Sequence, residues 1–249
     1  MIRAPTAAQR ASKLIPRNCN IVTRHLCAAL HDIVPRMFGS IRLFLVAVLS
    51  VAFATLAHAH PHVWVTMKSE VLYAPDGKVT GVRHAWSFDD MFSAFATQGL
   101  DAKKKGEFSR EELAPLAKVN IESLKEYDYF TYATVDGVKV PMADPLSDYW
   151  LDYKDQILTL NFTVPFKTPA KAKELSIDIY DPTIFVDFSF DKKTPAHLVN
   201  PPAGCKLQVA LPREMTFAEG KKLSEIPADQ PNTFMTGAEF ANKILVHCQ

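Results

Sequence analysis

The 249-residue chain carries 28 Lys and Arg against 27 Asp and Glu, and 48% of it is apolar, which is enough to bury a core and excludes a disordered polyelectrolyte. The charge is unevenly spread. Residues 1–59 hold seven of the basic residues and one acid, Asp32, which leaves 21 basic and 26 acidic residues, a net of −5, for residues 60–249. A nucleic-acid partner needs a concentrated positive face, and that class drops out.

Arg36 and Arg42 precede an apolar run from Leu43 to Phe53, and Ala57 and Ala59 fit a small-x-small cleavage site. This is the pattern of a secretory signal cut after Ala59, and the run is short for a membrane span. Residues 1–36 are basic and show no sustained periodicity. Met37 reads as the true start, with a long basic leader as the alternative. The expected mature protein is one periplasmic β-rich domain, 60–249, without a membrane span. Cutting after Ala59 exposes His60, so an α-amino group, its own imidazole and the imidazole of His62 come together. Imidazole nitrogen suits zinc, copper and nickel. The alternative is that both histidines are ordinary residues of a polar chain end.

From Val63 the chain alternates apolar and polar residues to about Tyr73, a period-2 strand. Pro75-Asp76-Gly77 supplies a turn, and Lys78 to Phe88 reads as the return strand. With a two-residue Asp76-Gly77 turn, Asp89 falls opposite Trp64 and His84 opposite Ser69. At about 3.4 Å per residue, His84 is then roughly 20 Å from His62. That spacing makes Asp89 a candidate metal ligand near the histidines and argues against His84. Asp89 is equally a favoured helix N-cap. Met91, Phe92, Phe95 and Leu100 follow at helical spacing.

Residues Asp101 to Glu112 keep the frame of an EF-hand loop, with Asp at position 1, Gly106 at 6, Phe108 at 8 and Glu112 at 12. Positions 3 and 5 are Lys103 and Lys105, so two cations replace two oxygen ligands and calcium is not expected. Ser109 caps a predicted helix from Arg110 to Lys125, whose Leu113, Leu116, Ala117, Ile121 and Leu124 make a core-facing stripe. Helical residues 89–126 are therefore an EF-hand-like helix-loop-helix inserted into a β-rich chain.

Strands are predicted over 129–135 and 138–140 around Asp136-Gly137, then over 148–153, 157–164, 175–180 and 184–190. Asp181, in Tyr180-Asp-Pro-Thr183, reads as an exposed turn carboxylate and a more distant metal candidate, with Asp187 in the next strand. After the Pro-rich 198–204, a strand is expected over 205–211, a short helix over 216–223 and a last strand over 242–248. The fold class is α+β, mainly antiparallel β and sandwich-like. Cys205 and Cys248 are an even pair in an oxidising compartment and are predicted to be bridged. Metal ligation by two thiolates is the alternative.

His60-Pro-His-Val-Trp64, Trp86-Ser-Phe-Asp-Asp90, Asp101 to Glu112, Tyr127-Asp-Tyr-Phe-Thr131 and Tyr180-Asp-Pro-Thr183 occur in this order. Together they resemble the bacterial family of domain of unknown function 1007, across essentially the whole mature chain. The resemblance implies a periplasmic component of a transport system, commonly encoded beside nickel/cobalt exporter-type permeases. A membrane metal-transport permease is then the expected partner. The family's EF-hand-like loop would more usually carry Asp or Asn where Lys103 and Lys105 stand.

Three functions fit the residues. The first is a metal-binding accessory protein using His60, His62 and Asp89, with Asp181 further off, for nickel, cobalt, zinc or copper. Proline lacks an amide N–H, so Pro61 blocks square-planar binding through backbone amides and leaves side chains to coordinate. The second is a copper enzyme built on an N-terminal histidine, which His84 is badly placed to complete. No nucleophile elbow, zinc-protease motif or paired catalytic carboxylates occur, so the chain reads as a non-enzyme. The third is an interaction module with incidental histidines.

Overall fold

The computed structural model describes residues 63–104, 106–145, 147–226 and 236–249. The signal-like run, His60 and His62 lie outside the described residues. The first strand, β1 (Val63–Tyr73), buries Val63, Val65, Met67, Ser69, Val71 and Tyr73 and turns the alternate side chains outward. Strand β2 (Val79–Phe88) returns antiparallel to it. The turn is wider than the expected two residues: the Ala74 N–H donates to the Lys78 carbonyl, and Gly77 takes a φ of 79° that favours glycine. A register shift just beyond the turn offsets the extra residue, so Ser69 does pair with His84, and Val65 with Phe88.

Two short helices follow, α1 (Asp90–Ala96) and α2 (Arg110–Leu124). The apolar stripe expected on the first is not a core face. Leu100 lies beyond the helix, and Met91 and Phe95 are each 74% exposed. Phe92 turns inward, onto Phe88 with ring centroids 4.6 Å apart, beside the buried Ser93. Helix α2 does bury Leu113, Ala117 and Ile121, and Ser109 and Glu112 form a reciprocal capping box.

The remaining strands are β3 (Thr131–Val135), β4 (Val138–Val140), β5 (Trp150–Lys154), β6 (Ile157–Ala170), β7 (Glu174–Ile179), β8 (Val186–Phe190), β9 (Ala196–Val199), β10 (Lys206–Ala210) and β11 (Asn242–His247). A third helix, α3 (Phe217–Ser224), precedes β11. One sheet runs β5-β6-β2-β1-β8, with β9 beside β8 on the same edge of β1; the other runs β10-β11-β7-β3-β4. The fold is thus α+β and mostly antiparallel. The exceptions are β8 and β9, which lie parallel to β1. Parallel pairing needs a long connection that leaves no local periodicity, and β9 falls in a stretch read only as a break.

The inner faces of the two sheets share one apolar core around Trp86, whose ring packs edge-on against Phe162 and Phe188 at 4.8 Å each. Each such pair adds about 1 kcal/mol beyond its burial. Set in this core is His84, 1% exposed. Its Nδ1 lies 2.9 Å from Ser69 Oγ, and its Nε2 lies 3.2 Å from Thr131 Oγ1 on the opposite sheet. The Thr131 hydroxyl donates to the Tyr129 carbonyl at 2.8 Å. Its oxygen must therefore accept from His84 Nε2–H, which leaves Nδ1 to accept from Ser69. A second tie between the sheets is Asn242, whose Nδ2 donates to the Phe188 carbonyl at 2.7 Å.

The segment expected to open the third strand at Tyr129 instead turns left-handed. Asp128, Tyr129 and Phe130 have φ of 51°, 54° and 49°, at about 1–2 kcal/mol each for non-glycine residues. The offset comes from anchoring. Phe130 is buried beside Phe188, the Tyr129 hydroxyl donates to Asp144 at 3.0 Å, and Tyr180 N–H donates to the Phe130 carbonyl.

The disulfide between Cys205 and Cys248 is formed and spans 43 positions. In the chain-entropy model such a link stabilises by about 4 kcal/mol. Replacing both cysteines by alanine is expected to lower the unfolding free energy towards that amount, read as a fall in urea midpoint.

Burial pushes the His84 imidazole from its ordinary 6.5 down to about 3. The unfolded chain then binds the proton more readily than the native one. The stabilisation is complete above pH 6.5 and is lost as pH falls from there towards about 3, at up to about 1.4 kcal/mol per pH unit. Between pH 6.5 and 5, stability should fall more steeply in the native protein than in His84→Asn; equal slopes would contradict the buried neutral ring.

Candidate functional site

The end of the first sheet where β1 begins carries most of the candidate residues. Asp89 ends β2 opposite Trp64, as the register predicts: its N–H donates to the Trp64 carbonyl at 2.9 Å. Its side chain also acts as the cap. Oδ1 accepts from the Phe92 N–H at 2.8 Å and Oδ2 from the Trp64 N–H at 3.0 Å. A carboxylate has about four lone-pair sites, so Asp89 keeps two.

Asp181 differs from expectation. It is 4% exposed, not an open turn residue. Oδ1 accepts from the Thr183 N–H and hydroxyl, each at 2.7 Å; Oδ2 accepts from the N–H groups of Phe185 and Val186 at 3.0 and 2.9 Å. All four lone-pair sites are spent on fixing residues 181–186, which deliver the chain into β8. Gly237 packs on this loop so closely that a Cβ there would sit 1.8 Å from the Asp181 carbonyl oxygen.

Asp187 was passed over as a strand residue. It pairs in parallel register with Trp64, on the side away from Asp89. Paired residues share a sheet face, and strands are spaced by about 4.8 Å. Asp89 and Asp187 therefore flank Trp64 on the outer face, roughly 10 Å apart at the backbone. Asp187 makes no hydrogen bond or ion pair to another described residue, and partial withdrawal from water pushes its carboxyl upward. It lines a cavity of about 380 Å³ with Trp64, Tyr180, Phe188, Arg213 and Phe240. Arg213 adds no free charge there: Glu219 and Glu239 hold its guanidinium, which also stacks on Phe240. The signal that could have found Asp187 is an acid in an outward strand position after a turn, which is also how any solvated strand acid reads.

The structure thus brings Asp89 and Asp187 to the start of β1 and holds Asp181 in the loop beneath the same cavity. His60 and His62, which precede Val63 in the sequence, lie outside the described residues. Among the described residues no group of three or more His, Cys, Asp and Glu side chains could hold a metal by itself. The described histidines are engaged: His84 is sealed in the core, His197 pairs with Glu70, and His247 with Glu174. Ser69 and His84 are not a catalytic pair, because both are closed off from solvent. No described helix is long and apolar enough to cross a membrane.

Fold and site together define a disulfide-linked, two-sheet β protein with a partly aromatic, carboxylate-bearing cavity at one sheet end. The chain belongs to the family described as protein of unknown function (DUF1007), whose model matches residues 45–248. It is also similar to an uncharacterized 15.5 kDa protein in the trpE 3' region of Spirochaeta aurantia. The two are 32% identical over 99 residues, which cover 39% of this chain and 70% of that protein.

The saturated carboxylate makes a specific expectation. Asp181→Ala leaves buried backbone donors without acceptors and should cost about 3 kcal/mol, measured by denaturant unfolding. A loss under about 0.5 kcal/mol, the range of surface substitutions, would contradict the role assigned to it.

Proposed function

We propose that the protein is an exported periplasmic accessory protein that binds a transition metal, nickel, cobalt, zinc or copper, for a membrane transport system. The observation that carries this reading is the unpartnered Asp187 carboxylate beside Trp64, one position from where the chain of His60 and His62 enters β1. His60 and His62 would supply nitrogen ligands, Asp187 an oxygen, and Asp89 a further oxygen through its spare lone pairs. Asp181 contributes by fixing the loop that presents Asp187. A bound metal would supply only a charge and a coordination preference; the residues hold it and hand it on. The Cys205–Cys248 bridge is compatible with an oxidising compartment. The partner is a metal-transport permease, as the family resemblance implies.

The 101–112 segment is read as a loop of EF-hand type closed without calcium. Glu112, at the place of the bidentate ligand, instead accepts backbone N–H groups from Lys103 and Ser109, each at 2.8 Å. Its carboxylate does the closing that a cation would otherwise do.

The test is titration of the exported protein with nickel, cobalt, zinc and copper, beside His60→Ala, His62→Ala and Asp187→Asn. Binding should weaken by at least about tenfold in each histidine variant and less in Asp187→Asn. Equally poor binding by all four proteins would sink the metal reading and leave an interaction module.

A further inference from the structure

A second opening lies on the other sheet, on the face turned away from the core. Along β3 and β7 the inward residues are Thr131, Ala133, Val135, Leu175, Ile177 and Ile179; the outward ones include Tyr132, Thr134, Asp178 and, just past β7, Tyr180. A cleft of about 440 Å³ is lined there by Asp128, Tyr132, Thr134, Lys139, Asp178 and Tyr180. Tyr132 and Tyr180 stack with centroids 4.5 Å apart and planes at 26°. Of the two acids, Asp178 is already paired, with Lys243 and with Ser176. The Asp128 carboxylate makes no hydrogen bond or ion pair to another described residue, although it stands close enough for its charge to act on both phenols. Burial first, and the negative charge of Asp128 among the neighbouring groups, push Tyr132 and Tyr180 upward.

We propose that this cleft binds a small organic cation, an alkylammonium or guanidinium group, with its charge on Asp128 and its body against the Tyr132–Tyr180 pair. An aromatic face attracts a cation through its ring quadrupole. An unpaired carboxylate beside it supplies the charge that a neutral aromatic surface lacks. The left-handed backbone at Asp128, Tyr129 and Phe130 gives this placement a cause. It sends Phe130 inward and Tyr129 to Asp144, and leaves the intervening chain turned so that Asp128 faces the cleft. Hydrated metal ions fit less well, because one free carboxylate and two phenols held protonated offer them few ligands. This site shares no ligand with the one proposed for metal, and the two readings stand or fall separately.

The probes are tetramethylammonium and methylguanidinium chlorides, with sodium chloride at matched ionic strength, titrated into the exported protein while backbone amide shifts are followed. Saturable shifts confined to Tyr132, Thr134, Lys139 and Tyr180, with half-saturation at about 1–10 mM, are expected. Asparagine tolerates the left-handed conformation, so Asp128→Asn keeps the fold and removes the charge; it should weaken binding at least about tenfold. Tyr180→Leu should weaken it similarly, with Asp128 still present. Shifts equal to those with sodium chloride, or an Asp128→Asn protein that binds as well as the native one, would overturn the proposal.

Discussion

One buried hydrogen-bonded chain does most to fix how the two sheets face each other. It runs from the Ser69 hydroxyl through both nitrogens of His84 to Thr131 and on to the Tyr129 carbonyl. Each member has one role, because Thr131 has its proton committed to Tyr129 and can only accept from the ring. An apolar residue in place of His84 would pack, but would tolerate sliding of one sheet over the other. The relay does not, since sliding strands a buried donor or acceptor at a cost of about 1–3 kcal/mol. It also joins β1, β2 and β3, and its far end is the left-handed turn at residues 128–130. The strained turn and the rigid core are therefore one construction, with Thr131 as the hinge point between them.

Strand β1 sets the position of the candidate metal site. It is paired on both sides, by β2 along one edge and by β8 and β9 along the other. Its first residues bring together three side chains: Trp64 of β1, Asp187 of β8, and Asp89 just past the end of β2. Of the three acids at this end, two are spent on architecture to different degrees. Asp181 is fully engaged, Asp89 half engaged, and Asp187 not at all. Counting lone pairs separates carboxylates that a sequence motif treats alike.

The first hairpin was legible because alternation, turn chemistry and register agree over residues 63–88, and the register survived even a misjudged turn. Helix α2 was legible from Ser109, Glu112 and a complete apolar stripe. The disulfide followed from the even pair of cysteines and the expectation of export. What escaped depends on packing that composition does not show. Met91 and Phe95 carry helical spacing, but the two-turn α1 packs through Phe92 and Ser93 and leaves them on its outer face. Asp181 looks like any Asp-Pro turn until the 181–186 loop is seen to fold the N–H groups of Thr183, Phe185 and Val186 back onto it. Tyr129 and Phe130 read as the start of a strand by composition; the core position of Phe130, the Tyr129–Asp144 hydrogen bond and the Tyr180 N–H on the Phe130 carbonyl hold the turn left-handed. Parallel pairing of β1 with β8 leaves no local trace.

That parallel pairing also bears on how the polypeptide reaches its native state. The partners Val63 and Val186 are more than a hundred residues apart, so the second edge of β1 stays uncovered until most of the chain is available. Contacts of such high sequence separation slow the approach to the native state, into the millisecond-to-second range for β-rich domains. Throughout that interval an apolar strand with a free hydrogen-bonding edge is open to capture by another chain. A holding chaperone that shields residues 63–73 until β8 arrives would protect the step at which this topology is most exposed to aggregation.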